Sequence, residues 1–185
     1  MLEIEIKQSE INKIKRRLAG IPRGLPKVIT RGINKTLASS RTKAVRLFAG
    51  DINIKQKTIR EQIRILRASY SRWIGQLRFY GSSRIPLSRF AARQTQRGVS
   101  YKIEKTGGRK TAEHAFIAET ETGHRGVWRR AGRARYPIYE LFGPSLGAVF
   151  KNAPAKIASI EKTSAADLKK NINTQVKVLT QKANK

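Results

Sequence analysis

PKVITRGINKTLASSRTKAVRLFA, residues 26–49, is the stretch that decides the fold. Ile29, Ile33, Leu37, Ala44 and Phe48 return at helical spacing, so one stripe of this segment faces a core. Pro26 suits the first position of a helix, where its missing N–H would have no intrahelical partner in any case. About 24 residues rising about 1.5 Å each make a rod of about 36 Å, long enough to cross a whole sheet. Ahead of it, Leu2, Ile4 and Ile6 alternate with Glu3 and Glu5 as a short strand does. Ser9 is placed to cap a helix in which Ile11, Ile14 and Leu18 share a face, and Gly20 and Pro22 stop that helix.

Downstream the period changes from helical to alternating. Ile63 and Ile65, then Trp73, Gly75, Leu77 and Phe79, alternate with polar partners. Val99, Tyr101 and Ile103 continue the pattern to the turn Thr106-Gly107-Gly108-Arg109. Ala115–Ala118 and Gly126–Arg129 read as two further strands, and Pro137 and Gly143-Pro144 punctuate the exit. Ser145 is placed to cap a final helix through Ala148, Ile157, Ile160 and Leu168, with Lys169–Lys185 expected to fray. The order predicts an α+β fold: a short antiparallel sheet with long hairpins, packed on the long helix of the N-terminal half, plus a C-terminal helix. The length suits a single domain over 1–185. Its parts are 1–50, strand and helices; 51–144, the β-rich core; and 145–185, the C-terminal helix. Trp73, Leu77, Phe79, Val99, Tyr101 and Phe116 are the expected core against Ile33 and Leu37.

The 185 residues carry 40 Lys or Arg against 12 Asp or Glu, a formal charge of +28. A chain this basic repels itself, which calls for an anionic partner surface in its working state. There is no cysteine, so disulfides and thiolate zinc sites are excluded. The opening stretch MLEIEIKQSEINKIKRR has too little apolar run to predict a signal peptide. Leu141–Phe150, the longest uncharged apolar stretch, is half a membrane span and contains Gly143, Pro144 and Gly147, so no membrane association is expected.

Enzyme motifs fail on inspection. Gly143-Pro144-Ser145-Leu146-Gly147 fits G-x-S-x-G, but that hydrolase pattern needs its His after the Ser, and both His114 and His124 precede Ser145. A loop-to-helix junction explains the same residues. Gly107-Gly108-Arg109-Lys110-Thr111 lacks the Gly directly before Lys that a Walker loop requires. Glu113, His114, Glu119, Glu121 and His124 have metal-ligand chemistry in a spacing that matches no closed site. The chain is expected to be no enzyme and to need no cofactor or metal.

What remains is arginine. From Gln62 to Ile103 there is no acid, while Arg84, Arg89, Arg93 and Arg97 recur every four or five residues. Arg129, Arg130, Arg133 and Arg135 crowd a second short segment. Guanidinium donates bidentate hydrogen bonds to phosphate or carboxylate, so these eight are the candidate contacts to DNA or to an acidic protein face. Pro86 argues for an extended start to the first cluster, as in a loop reaching over a neighbour. The alternative function is a sequence-nonspecific nucleic-acid-binding protein that contacts phosphates without reading bases.

Ile85-Pro86-Leu87-Ser88-Arg89-Phe90-Ala91-Ala92-Arg93-Gln94, then Arg97-Gly98-Val99-Ser100, form an ordered set with three later pieces. These are Ala115-Phe116-Ile117-Ala118, Gly126-Val127-Trp128-Arg129-Arg130 and Pro137-Ile138-Tyr139-Glu140-Leu141-Phe142-Gly143-Pro144-Ser145. In this order, from about Asn34 to Gly147, the chain resembles the prophage minor tail protein Z family of long-tailed phages. The resemblance implies a structural virion protein that completes the tail at its head-proximal neck, assembled in the host cytoplasm. It further implies a homo-oligomeric, six-fold ring around the DNA channel, beside the tail terminator, tail tube and head connector proteins. It brings no catalytic residues.

Overall fold

The computed structural model describes residues 2–81 and 84–183. The fold is mixed α+β, with β1 (Leu2–Ile4), α1 (Gln8–Arg17), α2 (Gly24–Asp51), α3 (Gln56–Glu61), β2 (Ile63–Leu66) and β3 (Gly75–Phe79) in the first half. A 3-10 turn (Leu87–Arg89) and β4 (Arg93–Thr95) follow, then β5 (Gly98–Tyr101), β6 (Lys110–Glu113), β7 (Ala115–Glu119), β8 (Arg125–Arg130) and β9 (Ile138–Glu140). The chain ends in α4 (Leu146–Lys151) and α5 (Pro154–Ala183). The strands form three antiparallel sheets, in the orders β1-β3-β2, β4-β5-β6 and β7-β8-β9, where the sequence suggested one. Contacts divide the chain into two compact units, 1–44 with 63–79 and 153–185, and 45–62 with 80–152, so the division falls inside α2.

In the first unit, α2 packs on the β1-β3-β2 sheet and on α5. Val28, Ile29, Ile33 and Leu37 are buried as the stripe requires. Gly75 brings the β3 backbone onto them: an added Cβ would lie 2.5 Å from Leu37 and 2.8 Å from Ile33. Asn34 clamps the chain after β2, its amide donating to the Ala68 carbonyl at 3.1 Å and its carbonyl accepting from the Ala68 N–H at 2.9 Å. The seam with α5 is partly polar. The Ser40 and Ser164 hydroxyls are buried and 2.6 Å apart, and Asn171 donates to Thr36 at 3.0 Å. Every buried hydroxyl here has a partner, which removes the desolvation cost of burying it.

Lys43 closes the seam with a 2.8 Å ion pair to Asp167. That ammonium holds the Asp167 carboxyl below the ordinary carboxylate range, partial burial opposes it, and the Ser39 hydroxyl adds a second stabilising hydrogen bond.

The second unit holds the end of α2, α3, the 3-10 turn, the two remaining sheets and α4. Phe48 is fully buried and meets Phe150 edge-to-face at 4.5 Å. Gln94 ties the two sheets together: its amide donates to the Gly98 carbonyl at 3.1 Å, and its carbonyl accepts from the Ile117 N–H at 2.9 Å. Ser145 does cap α4, accepting from the Ala148 N–H at 3.3 Å. Gly147 in that helix lies so close to Gly81 that a Cβ on Gly81 would fall 1.9 Å from the Gly147 nitrogen. The G-x-S-x-G match is therefore a cap and a backbone contact.

Several expectations need correction. α1 has Lys7 at its N-cap with no side-chain capping bond, so Ser9 lies inside the helix. α2 begins two residues before Pro26 and ends at Asp51. The C-terminal helix is two helices, broken after Lys151, with Pro154 opening the second. Its distal part does not fray: α5 runs to Ala183, with Ile172 and Val176 buried, and Asn184 and Lys185 lie outside the described residues. Of the six expected core residues, Leu77 and Val99 are buried, whereas Trp73, Phe79, Tyr101 and Phe116 are half-buried. They are also shared between the units, three in each.

Truncating a buried Phe costs about 3–5 kcal/mol, so Phe48→Ala should lose that much in urea unfolding, and Phe79→Ala distinctly less. Asp167 has a depressed pKa, so the stability it contributes is present above the unfolded-state carboxylate pKa and is lost as pH falls through the folded value. Asp167→Asn should cost under about 1 kcal/mol at neutral pH, as partly exposed ion pairs do. The wild-type and variant melting curves should converge in strong acid.

Candidate functional site

All eight candidate arginines fall in the second unit and all are exposed. The first cluster is carried by a segment anchored by its apolar residues. Ile85, Leu87 and Phe90 are buried, which leaves Arg84 and Arg89 outside. The start is extended at Pro86, as expected, and then turns through the 3-10 helix. Arg93 sits on β4 opposite Ser100, and Arg97 lies at the two-residue tip where β4 turns into β5. The second cluster begins on β8 and continues into the connection to β9, closed by the Ala131 N–H donating to the Pro137 carbonyl at 3.0 Å. Arg130 and Arg135 line one cleft of that region, together with Phe116, Trp128 and Tyr136.

The eight differ in what holds them. Arg89 donates to the Thr58 hydroxyl at 3.2 Å. Arg129 donates to the Tyr139 hydroxyl and lies 5.3 Å from that ring's centre. Arg130 lies over Phe116 at 5.7 Å and Arg135 over Tyr136 at 5.8 Å. Stacking of this kind uses the guanidinium face and leaves its charge outward. The guanidinium groups of Arg84, Arg93, Arg97 and Arg133 have no hydrogen-bond or ion-pair partner among the described residues. Those four are the charges free to meet another molecule.

Arg109, read from sequence only as a turn residue, is a fastener. Its Nε donates to the Ser100 hydroxyl at 2.7 Å, and its Nη2 donates to the carbonyls of Ala91 at 2.7 Å and Ser100 at 2.9 Å. Ala91 has φ 47°, a left-handed conformation unfavourable for an L side chain, so the clamp fixes a strained point between Arg89 and Arg93. Only the folded hairpin brings Ser100 and Ala91 to this guanidinium, so no local signal marked it.

The metal-type residues do not assemble. His124 instead pairs with Glu140 at 2.8 Å and meets Trp128 edge-on. Among the described residues no three His, Asp or Glu side chains converge as metal ligands. The glycines of the Walker-like stretch lie in the connection between the paired strands β5 and β6. No described helix is long and apolar enough to cross a membrane.

The profile of the family described as prophage minor tail protein Z (GPZ) matches residues 9–182. No curated protein and no solved structure gives a significant match. The match spans nearly the whole chain, and the chain belongs to this family of bacteriophage minor tail proteins.

Charge-assisted hydrogen bonds contribute about 1.5–3 kcal/mol when sheltered, and Arg109 is exposed, so Arg109→Gln should cost about 1 kcal/mol. The loss should appear as faster amide exchange over Gly98–Tyr101, with the first unit unchanged.

Proposed function

We propose that this minor tail protein completes the head-proximal end of the tail as a closed homo-oligomeric ring around the DNA channel. Six copies would match the six-fold tube expected beneath it. In this reading it is a structural virion component of the neck and performs no catalysis. Its neighbours there are the tail terminator, the tail tube and the head connector.

The observation that carries the reading is the state of Arg84, Arg93, Arg97 and Arg133, exposed and without partners in one unit of a family member. Four exposed guanidiniums in one unit exceed what solubility asks for, since Lys serves that purpose as well and binds water more strongly. Repeated around a ring, they would sum their fields toward the phosphates of passing DNA or toward the carboxylates of an adjoining subunit. The nucleic-acid reading rests on the same groups, and salt separates the two. Phosphate contacts give log–log slopes of about −0.9 each, whereas ring assembly does not require added DNA.

The decisive variant replaces those four arginines together by Gln and leaves Arg129, Arg130 and Arg135, which cover aromatic rings, in place. Surface changes of this type usually stay within about 0.5 kcal/mol each, so the chain should melt as wild type. The yield of infectious particles or their DNA retention should fall. Full infectivity at normal salt tolerance would reduce the arginines to colloidal charge. A single copy per neck in native mass spectrometry would reject the ring.

A further inference from the structure

The first unit contains a groove of the opposite character. It lies between β1 with its following residues and one face of α5, and encloses about 330 Å³. Its floor is apolar, built from Leu2, Ile4, Leu168 and Ile172. Its rim carries Glu3, Glu5, Glu10 and Glu161, with Lys7 and Lys169 as the basic members. A third of the chain's 12 acids thus border one groove of a protein of charge +28.

Two further observations bear on what fits there. Glu3 accepts from the Gln76 amide at 2.7 Å, but the carboxylates of Glu5, Glu10 and Glu161 have no hydrogen-bond or ion-pair partner among the described residues. In a chain with 40 basic residues, leaving three neighbouring carboxylates unpaired keeps them available to a cation from elsewhere. In addition, β1 pairs with β3 on one side only, and its other edge has no strand partner among the described residues. A bare edge beside an apolar floor accepts an extended segment through main-chain hydrogen bonds.

We propose that this groove is a subunit interface and that its occupant is a basic segment of a second copy of the chain. Charge complementarity selects that occupant. DNA is repelled by the rim, and an acidic neighbour is repelled as well. Another copy brings an arginine-rich surface at the concentration the assembly itself sets. Repeated head to tail, with a rotation that closes, a contact between unlike surfaces of this kind builds the ring. The inference rests on the ring reading above and adds where one half of each contact lies.

Two experiments on the full chain test it. The first compares Glu5→Lys/Glu10→Lys/Glu161→Lys with a control of equal charge change, Glu104→Lys/Glu113→Lys/Glu121→Lys, by sedimentation velocity. Self-association should weaken about tenfold or more in the groove variant and under about threefold in the control, because only the former sets like charges against the incoming segment. Equal shifts in the two, or none, overturn the proposal. The second places a photoreactive benzoylphenylalanine at Ala165, an exposed groove residue, and irradiates assembled tails, so it does not depend on how the charge variants fold. A product joining two copies is expected; a product with another tail protein or with DNA, or no product, overturns it. Should tails carry a single copy, the ring reading itself falls. Should several copies be present and the photoproduct lack a second copy, only this interface falls.

Discussion

The apolar stripe of α2 is the constraint on which the rest of the structure depends. Val28, Ile29, Ile33 and Leu37 serve the core of the first unit, and Val45, Phe48 and Ala49 that of the second. A helix of 28 residues with such a stripe cannot be stable alone in water, and each half is held by what covers it. In the first unit the cover is a small sheet and α5, admitted closely because Gly32 and Gly75 lack side chains. A Cβ on Gly32 would meet Ile172 at 2.6 Å. In the second unit it is Phe150 against Phe48 and the elements that follow. Neither cover could form on a shorter or less apolar rod.

Much of this was legible because burial leaves a period. The stripe from Ile29 to Phe48, the alternation through Gly75–Phe79 and the Ala115–Arg130 hairpin all follow directly from side chains that must face inward. What escaped was whatever depends on contacts remote in sequence or on a disguised period. Ile160, Ser164, Leu168, Ile172 and Val176 form one stripe of α5, but Ser164 interrupts it, and its burial makes sense only with Ser40 bonded to it. The distal part looked weakly patterned because from Lys169 on the apolar residues Ile172 and Val176 stand among Lys, Asn, Thr and Gln. α3 is a six-residue helix in a charged stretch, too short to show a period. The break after Lys151 was marked by Pro154, since proline at a first helical position ends whatever precedes it.

The candidate surface was legible by composition but not by role. Sequence singled out the arginines by their density, yet it could not sort those that hold the structure from those left over. The sorting is made by partners far along the chain: Thr58 for Arg89, Ser100 and Ala91 for Arg109, Tyr139 for Arg129. A guanidinium lying on a ring shields an aromatic face while keeping its charge, so Arg129, Arg130 and Arg135 protect exposed Tyr139 and Tyr136 and half-buried Phe116 from solvent. The arginines without such duties lie ahead of the 3-10 turn, on β4, at the β4–β5 tip and in the connection after β8, and their donors are not consumed.

Charge sets the last constraint. With an excess of 28 positive charges, bringing copies of this chain together costs electrostatic work that grows with each addition. Uniformly basic surfaces would therefore oppose a multi-copy assembly at every contact. A chain can lower that cost without reducing its net charge by gathering its few acids where a neighbour must approach, so that each junction is locally attractive while the far field stays positive. Four of the twelve acids border the β1–α5 groove, the distribution that the proposed junction requires. In the proposed assembly the same net charge would serve two ends: attraction at the junctions would hold copies together, and the remaining positive field would be left for an anion that passes or adjoins it.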